Sequence, residues 1–119
     1  MRKQVLTIDD DPLYLNLVSD ILAVKDIDVL QARTGAEALS HLASSAPSLI
    51  ISDFDMPDMD GIEIHQHLQR NEKTRHIKFV FLTGSADIAL SNYTKEHNLQ
   101  LLNKNNIVNE LLKLSEHLT

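Results

Sequence analysis

Residues 49–61, which read LIISDFDMPDMDG, decide the fold of this chain. The first three are apolar and two of them are β-branched, a pattern typical of a strand buried on both faces. The strand runs directly into the carboxylates of Asp53 and Asp55, and burying a carboxylate is costly unless it is paired or bound to a metal. Pro57 and Gly61 then indicate a loop. We therefore expect Asp53 at the carboxyl-terminal edge of a sheet, facing a crevice and a cation.

The length of 119 residues suits one domain with one core, and we expect residues 1–119 to form it. The absence of cysteine excludes disulfides, thiolate metal ligands and cysteine nucleophiles. Lys and Arg number 11 against 17 Asp and Glu, giving a net charge of −6 that argues against direct nucleic-acid binding. Neither a signal peptide nor a membrane-spanning stretch is recognisable, so we expect a soluble cytoplasmic protein without a membrane partner.

Seven acids occur in two short runs of the sequence. If the runs meet in the fold, much of the net charge forms one local cation site and not a general acidic surface. A helix cap needs only one acid of the first run, which leaves two carboxylates of that run for another purpose. The seven are Asp9, Asp10, Asp11, Asp53, Asp55, Asp58 and Asp60.

The chain alternates between apolar runs and segments of helical periodicity. The apolar runs predict strands over 5–8, 29–32, 49–51, 79–82 and 99–102. The periodic segments predict helices that begin at Pro12, after a Thr34 cap, at 60–61, near Ala86 and before Ile107. Their expected inward residues include Leu13, Leu17, Val18, Ile21 and Leu22 in the first helix and Ile107, Val108, Leu111, Leu112 and Ser115 in the last. This βαβαβαβαβα order predicts a parallel sheet covered by helices on both sides.

Four of the predicted strands end in polar residues. These are Asp9 and Asp10, Asp53, Thr83 and Lys104, and parallel strands would bring them to one edge of the sheet. Carboxylate oxygens suit Mg²⁺, while a hydroxyl and an ammonium group can bind phosphoryl oxygens. The carboxylate at the strand end is then a candidate nucleophile for aspartyl-phosphate chemistry.

These motifs together resemble the receiver domain of two-component response regulators, including the chemotaxis regulators. The resemblance rests on the Ile8-Asp9-Asp10 sequence, on Asp53 within the pattern D-x-x-M-P-x-x-D-G, on Thr83-Gly84 and on Lys104. It covers the whole chain. It implies a flavodoxin-like (βα)5 fold of three α/β/α layers, with a five-stranded parallel sheet in the order 2-1-3-4-5.

The resemblance also implies a role for each site residue. Asp53 would be the phosphoacceptor, and Asp10 and Asp53 would ligate Mg²⁺ directly. The backbone carbonyl of Asp55 would be a third ligand, and Asp9 would help through water. Thr83 and Lys104 would bind the phosphoryl group, and Gly84 would keep access to Asp53 open. The implied donor is a phosphohistidine on a sensor kinase or a histidine phosphotransfer protein, and the domain would be a signalling module that promotes only its own phosphorylation and dephosphorylation.

Two residues depart from the family's pattern on the output side of the site. Leu101 stands where the family usually has an aromatic residue, and Asn105 stands where it usually has proline after a cis peptide bond. We expect phosphorylation to shift the loops around Thr83 and Lys104 with little rotamer change at Leu101. We also expect the Lys104–Asn105 bond to be trans, because a cis bond before a residue other than proline costs about 2.5–4 kcal/mol. The surface of the fourth helix, fifth strand and fifth helix is the expected partner surface.

Two other functions are compatible with parts of the pattern. A phosphohydrolase of the haloacid-dehalogenase type also has an apolar strand ending in D-x-D, here 53–55, but its acidic pair should follow the lysine. A receiver fold kept as an unphosphorylated binding module is the other alternative, which Leu101 and Asn105 leave open.

We interpret the six histidines as solvated or packing residues, and Tyr93 as either a partner-surface or a packing residue. No output domain is expected in this chain, which either acts alone on a partner or is part of a longer protein.

Overall fold

The computed structural model of the protein describes residues 3–84 and 87–118, in which strands and helices alternate. The strands are β1 (Gln4–Ile8), β2 (Asp28–Ala32), β3 (Leu49–Ser52), β4 (Lys78–Thr83) and β5 (Gln100–Asn103). The helices are α1 (Pro12–Ala23), α2 (Gly35–Ser44), α3 (Gly61–Gln69), α4 (Ile88–Glu96) and α5 (Ile107–Glu116). A single 3-10 turn, Lys104–Asn106, joins β5 to α5. In the described ranges no helix is long and apolar enough to cross a bilayer.

All five strands are parallel, and their order in the sheet is β2-β1-β3-β4-β5. This confirms both the fold class and the strand order expected from the sequence. β3 lies at the centre, with Ile8 of β1 opposite Ser52 and Phe81 of β4 on its other side. The chain therefore leaves β1 and β3 at the same edge of the sheet. The backbone N–H of Asp53 donates to the carbonyl of Ile8 (2.8 Å), which fixes the residue after β3 beside the end of β1.

The sheet is buried on both faces, as its apolar strands predict. Alternate residues of each strand point to opposite sides, so the same strands supply two separate cores. One core lies under α1 and α5 and includes Val5, Val18, Leu49, Leu82 and Leu111. The other lies under α2, α3 and α4 and includes Leu6, Ala38, Ile50, Ile64 and Phe81. The result is the expected three-layer α/β/α arrangement.

The helix faces differ from the sequence prediction at two positions. Leu13 is 68% exposed, because it precedes the buried Leu15 by two residues and therefore lies about 200° away around the helix. In α5, Val108 is 48% exposed, and Leu114 is buried in the core instead. α4 begins at Ile88 with Asp87 as its cap. The predicted start at Ala86 and the neighbouring Ser85 lie outside the described residues.

His65 is the one histidine of the described residues that is buried, with 3% of its surface exposed. Its Nδ1 shares a hydrogen bond with the Tyr93 hydroxyl (2.5 Å), which links α3 to α4. The edges of the rings of Phe79 and Tyr93 pack against it, and the ring of His97 stacks on Tyr93. Tyr93 is therefore a packing residue. Burial, with a smaller effect of His97, lowers the pKa of His65 to about 4, so the imidazole is neutral at physiological pH.

The lowered pKa of His65 makes the fold sensitive to acid. The neutral imidazole stabilises the fold fully above its ordinary pKa of about 6.5, and this contribution is lost as the pH falls towards 4. Replacing His65→Gln should remove that pH dependence, whose slope for one group is at most about 1.4 kcal/mol per pH unit. Urea unfolding between pH 7.5 and 4.5, in steps of about half a unit, measures it.

The matched control is His67→Gln, because His67 is exposed on the same helix. Wild type and the His67→Gln variant should lose stability in parallel as the pH falls, while the His65→Gln variant loses less. Equal slopes for all three proteins would contradict this account of His65.

Candidate functional site

Three carboxylates converge where β1 and β3 end. Each of Asp9, Asp10 and Asp53 offers an oxygen, and these oxygens all lie within 4.8 Å of one another. Asp9 and Asp53 are buried, with 3% and 9% of their surfaces exposed, whereas Asp10 is exposed. The convergence follows from the sheet order, because β1 and β3 are hydrogen-bonded neighbours whose carboxyl ends lie at one edge.

Backbone N–H groups fix the two buried carboxylates. The Asp11 N–H donates to Asp9 Oδ1 (2.9 Å), and the Phe54 N–H donates to Asp53 Oδ1 (2.9 Å). Each carboxylate thus holds one oxygen against its own loop and presents the other, Oδ2, to the centre of the site. Lys104 reaches both of these oxygens, with its Nζ 2.8 Å from Asp9 Oδ2 and 3.4 Å from Asp53 Oδ2.

Lys104 is oriented by the turn that follows β5. The Asn103 side chain accepts a hydrogen bond from the Asn105 N–H (2.8 Å), a local turn that proline in place of Asn105 could not form. The described residues contain no cis peptide bond, so the prediction of a trans Lys104–Asn105 bond is confirmed. The Lys104 ammonium group also lies 4.0 Å from the centre of the Tyr14 ring, a cation–π contact that the sequence did not predict.

The charges of the site oppose one another. Burial, and then repulsion by Asp9, raises the pKa of Asp53 to about 6, although Lys104 acts in the opposite direction. Burial disfavours the charge of Lys104, but its hydrogen bond to Asp9 and the charges of Asp53 and Asp9 more than compensate, so its pKa is raised. The site therefore carries more negative charge than one lysine neutralises, which favours an added cation.

The other predicted site residues lie around this centre. Thr83 is the last residue of β4, is buried, and pairs in register with Asn103, directly before Lys104. A Cβ at Gly84 would meet the Lys104 side chain at 3.6 Å, an ordinary contact, so an alanine would fit here. Asp55 is exposed in the loop between β3 and α3, and its carboxylate is not one of the three that converge. The roles of these residues stay predictions.

Three acids of the two runs bind helix N-termini instead of a cation site. Asp11 accepts from the Leu13 N–H of α1 (2.9 Å), and Asp60 accepts from the Glu63 N–H of α3 (2.8 Å). The Asp58 carboxylate accepts from the first two N–H groups of α2. The two acidic runs thus serve two purposes, because unpaired N–H groups at a helix start also attract carboxylates.

The fold and the site define a doubly wound parallel α/β domain with an acidic centre and one lysine at the carboxyl edge. A family model for the response regulator receiver domain matches residues 5–116. The polar-differentiation response regulator DivK of Brucella ovis is 30% identical over 86 residues, which cover 72% of this chain and 70% of DivK. The chain therefore belongs to the receiver domain family of response regulators.

Solved structures agree with this assignment. The chemotaxis response regulator CheY4 of Vibrio cholerae has a TM-score of 0.88 and 25% identity, with 100% of both chains covered. The Mn²⁺-bound form of response regulator Rcp1 has a TM-score of 0.81 and 25% identity, covering 97% of this chain and 90% of Rcp1. The protein is a signal-transduction module of two-component systems. Receiver domains take phosphoryl groups from histidine kinases or phosphotransfer proteins, and they bind Mg²⁺ at an acidic pocket.

The raised pKa of Asp53 predicts an effect on stability. Because this pKa in the folded state is above the ordinary value of 3.8, charged Asp53 disfavours folding when no metal is bound. At pH 7.5 in a chelator, Asp53→Asn should raise the free energy of unfolding by roughly 1–3 kcal/mol. The gain should shrink as the pH falls from 6 towards 3.8, because the wild-type carboxyl group then takes up a proton.

Urea unfolding measures this difference, with Asp20→Asn as the control, because Asp20 is an exposed acid of α1. The control should change stability little at either pH. A destabilised Asp53→Asn variant at pH 7.5 would show that the pairing of Asp53 with Lys104 outweighs its burial and its repulsion by Asp9.

Proposed function

We propose that Asp53 accepts a phosphoryl group in the presence of Mg²⁺. The observation that carries this proposal is the position of Asp53 Oδ2, which faces Lys104 at 3.4 Å with the carboxylates of Asp9 and Asp10 beside it. A nucleophile, a cationic partner for phosphoryl oxygens and ligands for a divalent ion thus share one crevice. With a pKa of about 6, Asp53 is mostly ionised at neutral pH, as a nucleophile must be.

The proposed reaction transfers the phosphoryl group from a histidine nitrogen to a carboxylate oxygen. An Asp53 oxygen forms a bond to phosphorus while the phosphorus–nitrogen bond breaks, and the imidazole nitrogen keeps the electron pair. Lys104, already in place, would bind one phosphoryl oxygen, and the Thr83 hydroxyl would bind another. Hydrolysis of the acyl phosphate later restores the carboxylate, so the domain promotes only its own phosphorylation and dephosphorylation.

The residues of the site fit Mg²⁺. A small hard cation prefers oxygen donors, and the carboxylate oxygens of Asp9, Asp10 and Asp53 lie within 4.8 Å of one another. Asp10 and Asp53 would ligate the ion directly, the Asp55 carbonyl would be a third ligand, and Asp9 would act through water. A bound Mg²⁺ would withdraw negative charge from the phosphoryl oxygens as the transfer proceeds.

We also propose that the signal leaves through the surface of α4, β5 and α5. Three apolar side chains are exposed there, Ile88 on α4 (81%), Leu101 on β5 (41%) and Val108 on α5 (48%). Exposed apolar residues on neighbouring elements are a suitable contact surface for a protein partner. The exposure of Leu101 agrees with the position of β5 at the edge of the sheet, and little rotamer change at Leu101 on phosphorylation stays a prediction. The cytoplasmic location stays a prediction.

The phosphoacceptor role predicts the loss of labelling in one variant. Wild type incubated with acetyl phosphate and Mg²⁺ should gain one phosphoryl group by intact mass, and Asp53→Ala should gain none, because its nucleophile is missing. Asp55→Ala is the matched control, since it removes a neighbouring carboxylate but keeps the backbone carbonyl that we propose as a ligand.

Labelling of the Asp53→Ala variant would refute this assignment. Absence of label in wild type, with a sample of correct mass and fold, would favour an unphosphorylated binding module. Steady turnover of a phosphomonoester would point to a phosphohydrolase, the other function that part of the sequence resembles.

The proposed metal site predicts stabilisation by Mg²⁺. Binding to the folded state should raise the midpoint of thermal unfolding, by a free energy of about 2.7 kcal/mol when Mg²⁺ is a hundredfold above its dissociation constant. Asp10→Asn should lose most of this shift, because it removes a proposed direct ligand that is exposed and not needed for packing. An equal shift in both proteins would place the ion elsewhere.

A further inference from the structure

The loop between β3 and α3, residues 54–60, is tied to the start of α2. Asp58 Oδ1 accepts a hydrogen bond from the Gly35 N–H and Asp58 Oδ2 accepts one from the Ala36 N–H, both at 3.0 Å. Two N–H groups that would otherwise lack partners are thus bound by one carboxylate from a distant part of the sequence. The helix dipole adds to this attraction, and the pKa of Asp58 is lowered, first by the Gly35 N–H.

A close packing contact accompanies these hydrogen bonds. A Cβ added to Gly35 would lie 2.5 Å from Met59 Cγ and 2.7 Å from Met59 Sδ, so the Met59 side chain occupies the space that any other residue would need. The residue after Asp58 therefore packs directly on the first residue of α2. Hydrogen bonding and packing together hold residues 58–59 on the α2 terminus.

The same loop is also fixed at its two ends. The Gly61 N–H donates to the Phe54 carbonyl (2.7 Å), which closes the loop on itself. A Cβ at Gly61 would lie 2.6 Å from the Asp53 carbonyl oxygen, so the start of α3 lies against the backbone of the proposed phosphoacceptor. Asp55, whose carbonyl is the proposed third metal ligand, lies in this loop between Phe54 and Asp58.

We infer that Asp58 is a positioning residue, which holds the loop carrying the Asp55 carbonyl in place for Mg²⁺ by binding the N-terminus of α2. This inference rests on the proposed metal site and phosphoacceptor. The reason is mechanical: the Phe54–Gly61 hydrogen bond closes the loop and Phe54 and Met56 pack on the core, while Asp58 adds the two hydrogen bonds that tie the loop to α2. Without the Asp58 carboxylate, binding Mg²⁺ would first have to order the loop.

Asp58→Ala removes both hydrogen bonds and tests the inference. The dissociation constant for Mg²⁺, measured by titration of the chelator-treated protein, should rise on the order of tenfold, as for other residues that orient a metal ligand. Asp58→Asn keeps one carbonyl acceptor and should give a smaller rise. At saturating Mg²⁺ the labelling rate of both variants should approach the wild-type rate, because Asp58 does not touch the reacting atoms.

Glu37→Ala is the matched control for charge and for helix stability. Glu37 lies in the first turn of α2 and accepts from the Arg33 N–H (3.0 Å), so its removal takes away one negative charge and one hydrogen bond at the same helix terminus. It should leave the Mg²⁺ dissociation constant nearly unchanged. An equal rise in Glu37→Ala and Asp58→Ala, or no rise in either, would overturn the inference, as would a lower labelling rate that saturating Mg²⁺ fails to restore.

The amide resonance of Gly35 provides a readout independent of phosphorylation. The sequence contains only three glycines, so few glycine amide signals have to be assigned. In wild type the Gly35 signal should shift as Mg²⁺ is added, and in Asp58→Ala this response should be lost. A wild-type Gly35 signal that does not shift when Mg²⁺ is added would contradict the inference. If Mg²⁺ binds and depends on Asp58 but Asp53 takes no label, the phosphoacceptor proposal fails while the positioning role stands.

Discussion

The contact on which this structure depends is the one that Lys104 makes with Asp9 and Asp53. Two buried carboxylates at the ends of neighbouring strands repel each other, and burial disfavours the charge of both. One ammonium group at 2.8 and 3.4 Å stabilises them only in part, which is why the pKa of Asp53 stays raised. An added cation has a favourable place here because the fold has already concentrated uncompensated charge at this edge.

The acidic residues near this edge serve two different partners. Asp9, Asp10 and Asp53 face a common centre, whereas Asp11, Asp58 and Asp60 satisfy the first N–H groups of three helices. Both uses follow from the same constraint, because parallel strands and the helices after them place strand ends and helix starts side by side. The second group holds loops against helix starts, while Asp9 and Asp53 are held by the N–H groups of Asp11 and Phe54.

Much of the fold was predictable because its determinants are local or periodic. The apolar runs predicted the first and last residues of every strand to within one residue. This is because a parallel strand with helices on both faces of the sheet must be apolar along its length. The helix faces were less reliable. Leu13 and Val108 fit an apolar pattern but are exposed, because a helix start can carry apolar residues that the sheet does not cover. Likewise, the sequence left open whether Tyr93 packs, and its contact with His65 settles this.

The sequence by itself determined the alternating α/β order, the motifs of a receiver domain, and the residues that end each strand. Those features depend on the type and spacing of neighbouring residues. Only the tertiary structure decided which acids face a cation and which bind a helix, because Asp58 reaches Gly35 across 22 intervening residues and nothing in its own neighbourhood indicates that partner. The cation–π contact of Lys104 with Tyr14 was likewise decided only by the tertiary structure. The distance between the Lys104 ammonium group and the Tyr14 ring depends on how α1 lies relative to the end of β5.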